Sequence, residues 1–151
     1  MDIKVKADLK FSRFKDIAKK QKSGVSAVVR KTAFDVLADY KENVPRDTGA
    51  AAASAYVRTR SADGRYESGK EAAYAEAASI ALAAGTEPQL ASEPDPEVRA
   101  LQAWIIVGVL YGAMLEYGTE NMAPRATLIP AMNRVQGIFL DAIVQVMKNA
   151  K

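Results

Sequence analysis

Apolar residues recur at three- and four-residue spacing through Val25, Val28, Val29, Thr32, Ala33, Val36, Leu37 and Tyr40. That pattern predicts an amphipathic helix ending near Glu42. Pro45 stops it, because an interior proline loses a hydrogen bond and clashes with the preceding turn. Upstream, Ile3 and Val5 alternate with Lys4 and Lys6, a short strand signal. Leu9, Phe11, Phe14, Ile17 and Ala18 then fall on or near one side of a further helix, capped by Asp8 or Ser12 and broken or bent at Gly24.

Past Pro45 the pattern changes. Asp47, Thr48 and Gly49 read as a turn, residues 50–54 are small, and Tyr56, Val57 and Thr59 favour a strand. The stretch SADGRYESG reads as a turn around Asp63-Gly64. Lys70 to Gly85 is rich in Ala and Glu and predicts a helix, with Tyr74, Ala77, Ala78 and Ala81 along one side and Gly85 as its C-terminal cap. Thr86 to Val98 carries Pro88, Pro94 and Pro96 among acidic residues and is expected to be an exposed, mobile loop. Trp104 to Val109 is the clearest strand, and one helical turn follows over Tyr111 to Glu116. Gly118 supplies a positive φ, Pro124 a corner, Thr127 a cap and Pro130 a first-turn proline for a last helix. Its stripe is Leu128, Met132, Val135, Phe139, Ile143 and Val146 or Met147, with Phe139 the expected core anchor.

These elements predict an α+β fold: a long N-terminal helical region, a small mostly antiparallel sheet and a C-terminal helix packed on the sheet. A chain of 151 residues, 49% of them hydrophobic, has the size of one domain and enough apolar side chains for a core. The longest uncharged run, Ala100 to Leu115, is short for a membrane helix and interrupted by Gln102 and glycines. No secretory leader is visible in MDIKVKADLK.

The chain contains neither Cys nor His. Disulfides, thiolate metal sites and every Ser-His or Cys-His arrangement are therefore excluded, and no cofactor or metal is expected. Net charge is +3 overall, but residues 1–46 carry +6, residues 47–98 carry −5 and residues 99–151 carry +2. The basic first third suits a solvated helix face or, alternatively, a small nucleic-acid-binding protein. Arg58, Arg60 and Arg65 near a turn are candidates for DNA phosphates or an acidic partner, with solvation the plainer expectation. Asp47 and Glu116 are a candidate carboxylate pair for a hydrolase, but nothing in the sequence fixes their separation and no partner base accompanies them. Trp104 reads as core before binding anchor.

Three segments, in order, carry a resemblance: VPRDTGAAAAS, AWIIVGVLYGAMLEYGT and MAPRATLIPAM. They are similar to the Pro-x-x-Thr-Gly-x-Leu-x-x-Ser corner, the strand with its Glu-Tyr-Gly-Thr block, and the Pro-Arg-Pro-Phe-Leu-x-Pro-Ala helix start of the tail-completion, or neck, family of long-tailed bacteriophages. The chain departs from that pattern at Ala51 (usually Leu), at Gly112 (commonly Ala) and at Ala126-Thr127 (usually Pro-Phe), and residues 61–98 look like a helix-plus-loop insertion in a single domain spanning 1–151.

The resemblance implies a non-enzymatic virion protein, assembled in the host cytoplasm, that completes the tail end and joins it to the filled head. The implied partners are a tail terminator or tail tube, a head-completion protein and other copies of the chain in a ring, most often hexameric, around DNA that passes without sequence readout. The chain is monomeric before the tail end templates it, in one version of this expectation. The plainer reading of the corner is that it only builds the fold, with Tyr117 packed, Gly118 turning the chain and Pro124 and Pro130 fixing the helix entry. In the functional reading Glu116, Tyr117 and Arg125, with Arg58 and Arg60, are interface candidates, Glu116 and Arg125 pairing across a subunit boundary.

Overall fold

In the computed structural model, residues 21–47, 49–61 and 63–149 are described. The expected strand at Ile3 and Val5 and the helix over Leu9 to Ala18 lie outside them, as does Thr48. The long amphipathic run folds as α1 (Lys22–Asn43) and ends two residues before Pro45, as its sequence requires. After a turn, α2 (Ala50–Ser54) leads directly into β1 (Ala55–Arg60), followed by β2 (Tyr66–Ser68), α3 (Lys70–Ala83), β3 (Ala103–Val107), α4 (Gly112–Tyr117) and α5 (Leu128–Lys148). The architecture is the expected α+β one. Its sheet has the order β2-β1-β3 with both pairings antiparallel.

Alternation along the strands separates two faces. Ala55, Ile105 and Val107 turn towards a core formed with Val36, Tyr40 and Val44 of α1 and Leu128, Ala131 and Val135 of α5. The C-terminal helix thus reaches the sheet through its first turns, while most of its length lies against α1. The two helices are antiparallel. Arg134 pairs with Asp39 at one end (Nε to Oδ2, 2.7 Å), and Gly24 faces Val146 at the other. A second core of Val25, Phe139 and Ile143 lies between them.

Gly24 does not interrupt the described helix. A Cβ there would stand 3.0 Å from Val146 Cγ1, so the glycine's smallness serves close helix packing. The α5 stripe is as expected: Leu128, Val135, Phe139 and Ile143 are buried, and Met132 and Val146 are partly so. Leu101 adopts φ 63, unfavourable for a residue with a Cβ. Its side chain is partly buried against the Val25–Phe139–Ile143 core, which offsets that strain.

The sequence reading needs three corrections. SADGRYESG is more than a turn: Tyr66, Glu67 and Ser68 pair with Arg60, Thr59 and Arg58 as a third strand. A three-residue run of exposed side chains carries no alternation signal, and only β1 beside it makes it a strand. On α3, the buried line is Ala73, Ala77 and Ala81, with Tyr74 half-buried beside it. These alanines pack against the alanine-rich α2, small residues facing small residues. Gly85, at φ 73, does end α3: its N–H bonds to Leu82 O and the Thr86 N–H to Ala81 O, the paired bonds of a Schellman cap.

The third correction concerns residues 86–98. Most of their side chains are exposed, but the segment is anchored. Leu90 bridges to Val109, the Ala91 N–H donates to Gly108 O at 2.8 Å, and Val98 is 0% exposed. Pro94 and Pro96 bracket Asp95, which is tied to the sheet as described below. In this setting proline reduces the freedom of the chain instead of signalling mobility.

Candidate functional site

The corner between α4 and α5 is built around one carboxylate. Glu116 is 7% exposed. Its Oε2 accepts the backbone N–H groups of Thr127 (2.8 Å) and Leu128 (3.0 Å), and its Oε1 accepts that of Ile129 (2.8 Å). The start of a helix leaves four N–H groups without intrahelical partners. Glu116 takes three of them, and the next position is Pro130, which has no N–H. The negative charge also sits at the positive end of the α5 dipole. Thr127 stands at the cap position, but its hydroxyl instead donates to Arg125 O at 3.1 Å. The expected Thr127 cap is therefore replaced by a carboxylate eleven residues upstream.

Backbone geometry holds Glu116 in place. Arg125 N–H donates to Leu115 O (2.8 Å), Gly118 N–H to Met114 O (2.8 Å), and Thr119 and Met122 close the loop between them. Gly118 has φ 77 and ψ −176, a region essentially restricted to glycine. A Cβ there would lie 2.6 Å from Met122 O and 2.9 Å from Pro124. At Gly112 a Cβ would lie 2.9 Å from Val107 Cγ1, so the alanine common in the resembled family does not fit this packing unchanged. Ala51, where that family has Leu, lies in the main core.

Two sequence expectations for Glu116 fail on this geometry. It is not at the surface to pair with Arg125 across an interface, because both its oxygens are engaged inside the chain. The same engagement, with Asp47 exposed, removes the carboxylate pair considered for hydrolysis. What the corner does present is apolar. Leu110, Met114 and Tyr117, at spacings of four and three, are 55%, 52% and 48% exposed. Arg125 is exposed too and borders the same cavity as Leu110.

The arginines expected to be solvated lie elsewhere, on the face of the sheet opposite α1. Asp95 gathers four side chains there. Tyr56 Oη donates to it at 2.6 Å, Arg58 Nη1 at 2.6 Å and Ser68 Oγ at 3.1 Å, and Lys70 Nζ pairs with it at 3.2 Å. Burial pushes the Asp95 carboxyl up, but the hydrogen bonds from Tyr56, Lys70, Arg58 and Ser68 outweigh it and hold the carboxyl below its ordinary value. Burial, and then the Asp95 carboxylate, push the Tyr56 phenol well above its own. Arg60 lies over the Tyr66 ring and donates to Gly64 O. Arg58 is thus largely committed within the chain, whereas Arg65 is exposed and pairs locally with Asp63.

Sequence reasoning missed Asp95. The Pro94-Asp95-Pro96 triplet was its only signal, a stiff loop presenting one carboxylate. Between this loop, the outer edge of β3 and the corner lies a cavity of about 110 Å³, lined by Trp104, Ile106, Tyr74, Pro94, Leu110 and Arg125 among others. Trp104 is half-buried at this cavity, not enclosed in the main core.

Among the described residues no three His, Cys, Asp or Glu side chains cluster as a metal ion would require, and no helix is long and apolar enough to cross a membrane. Comparison of the chain with protein-family models, with curated proteins and with solved structures finds no match.

Proposed function

We propose that this protein is a structural component of a bacteriophage neck, which completes the tail end and helps join it to the DNA-filled head by ring assembly and docking. The sequence resemblance motivates the reading. The observation that carries it is the corner: a turn secured by Glu116 and Gly118, within which Leu110, Met114, Tyr117 and Arg125 are exposed. Large apolar side chains left exposed on a well-anchored corner, with an exposed arginine in the same corner, suit a protein-docking surface. Tyr and Arg are also the residue types enriched where binding energy concentrates. The Glu116 and Asp95 carboxylates are engaged in holding the fold.

The partners under this reading are a tail tube or terminator, a head-completion protein and further copies of the chain, with DNA passing through without base readout. Nucleic-acid recognition by Arg58 and Arg60 is not favoured, because Asp95 and Tyr66 already engage them.

The test has two parts. Deleting the gene should leave filled heads and finished tails that do not join. The double variant Met114→Glu, Tyr117→Glu should fold but fail to bind purified tails in co-sedimentation. Normal yields of infectious particles from the deletion would overturn the proposal, and a steeply salt-dependent binding of duplex DNA would favour the nucleic-acid alternative.

A further inference from the structure

We infer that the free edge of β3 is the seam of the ring, receiving the β2 edge of a neighbouring copy in a head-to-tail, sheet-continuing contact. The inference rests on the ring assembly proposed above and specifies its interface.

The hydrogen-bond phase of the sheet identifies the open groups. Gly108 N–H donates to Ser54 O at 3.3 Å, which makes Ser54 and Gly108 a bonded pair. Antiparallel pairs alternate between bonded and non-bonded. With Tyr56 opposite Ile106 and Arg58 opposite Trp104, those pairs are bonded too. The backbone groups of Ala103, Ile105 and Val107 therefore turn away from β1. Among the described residues β3 has no second strand, and the pairing of Leu90 with Val109 begins only beyond its end.

Natural sheets usually blunt such an edge with charge, proline, a bulge or a covering loop; here the 91–96 loop pairs only beyond the strand's end and borders a cavity alongside the strand. The edge itself reads Ala-Trp-Ile-Ile-Val, with no charge and no proline over its five residues. The cavity described above runs alongside it, walled by the 91–96 loop and the corner. A strand added at this edge would place side chains against Trp104 and Ile106 on one face.

The sheet itself carries the complement. Its other edge is β2, whose three residues are all exposed, Tyr66 by 49%. Both β2 and β3 are antiparallel to β1, so they are parallel to each other, and head-to-tail continuation sets β3 parallel to the neighbour's β2. The charges also match: Arg65, exposed just ahead of β2, arrives near the Glu93 and Glu97 loop beside β3. Different patches meeting head to tail close into a ring when the rotation per subunit allows it, which a β3-to-β3 contact, two-fold by symmetry, does not do.

The chain contains no Cys, so introduced thiols report the seam without background. Tyr66→Cys and Ile106→Cys are made separately and together in the full chain. Each is oxidised mildly, alone and mixed, in the presence of purified tails. Mixing the two single variants should give a covalent dimer that neither gives alone, and the double variant should give a ladder ending in a closed ring. Ala103→Pro, which removes an outward N–H at the first strand residue, should keep the wild-type melting transition but stay monomeric. Dimers of Ile106→Cys alone would show two-fold edge pairing and overturn the inference. Rings formed by Ala103→Pro, without the mixed cross-link, would overturn it while leaving the ring reading intact. A wild-type chain that stays monomeric even on tails would overturn both.

Discussion

Replacing Glu116 by Ala removes a buried acceptor from three backbone donors at once. Thr127 and Leu128 are buried, so water cannot readily replace the lost bonds to their N–H groups, whereas Ile129 is 37% exposed and is easier to rehydrate. Leaving a buried donor unpaired costs about 1–3 kcal/mol. Two such donors, with a smaller share for the third and the lost charge–dipole attraction, place Glu116→Ala at about 3–5 kcal/mol. For a chain of this size that lowers the melting temperature by on the order of 10 °C. Glu116→Gln keeps one accepting oxygen but turns an NH2 group towards at least one backbone N–H, and should cost about half as much. Thr127→Ala loses only the bond to Arg125 O and should cost about 1 kcal/mol or less. Urea melts of the three variants, with hydrogen exchange at residues 127–129, provide the check. If Glu116→Ala cost no more than Thr127→Ala, the carboxylate would not be the cap, and the account of the corner would fail.

Four further outcomes follow from the same structure. Asp95→Asn should destabilise the chain by about 2–3 kcal/mol at neutral pH, because Arg58 and Lys70 lose their anion. The folded-state pKa of Asp95 lies below its ordinary 3.8, so its contribution is full above that value and lost as pH falls below it. The gap between wild type and Asp95→Asn in denaturant melts should therefore be flat from neutral pH to about 5 and close in stronger acid; a gap unchanged at pH 2.5 would contradict this. Limited proteolysis within residues 86–98 should be slow in the wild type and faster in Asp95→Asn, and equal rates would mean the anchor does not hold the loop. Gly118→Ala should cost on the order of 3 kcal/mol, read by thermal melting, since it combines a glycine-only conformation with a 2.6 Å approach to Met122 O. Phe139→Ala should cost about 3–5 kcal/mol, and Lys148→Ala less than about 0.5 kcal/mol, in urea melts; a harmless Phe139→Ala would mean the α5 stripe does not face α1.

The sequence by itself determined the features whose cause is local. The Val25–Tyr40 and Leu128–Ile143 stripes specify α1 and α5 because helical periodicity repeats every three or four residues along one segment. Pro45 and Gly85 end their helices, and Gly118 turns the corner, through conformations intrinsic to those residues. The same locality explains why Phe139 was recognisable as a core residue. Tertiary structure decided whatever needed a partner distant along the chain. Tyr66–Ser68 becomes a strand only beside β1, and residues 86–98 are held only because Asp95 meets Arg58 of β1 and Lys70 of α3. Thr127 had the right residue type for a cap, but Glu116 took the role, since an ionised carboxylate with two oxygens satisfies three donors where a hydroxyl satisfies one. For the same reason Glu116 and Arg58, surface candidates by residue type, became internal. A charge brought into the fold is stable only with its hydrogen-bond partners around it, and no local pattern says where those partners will come from.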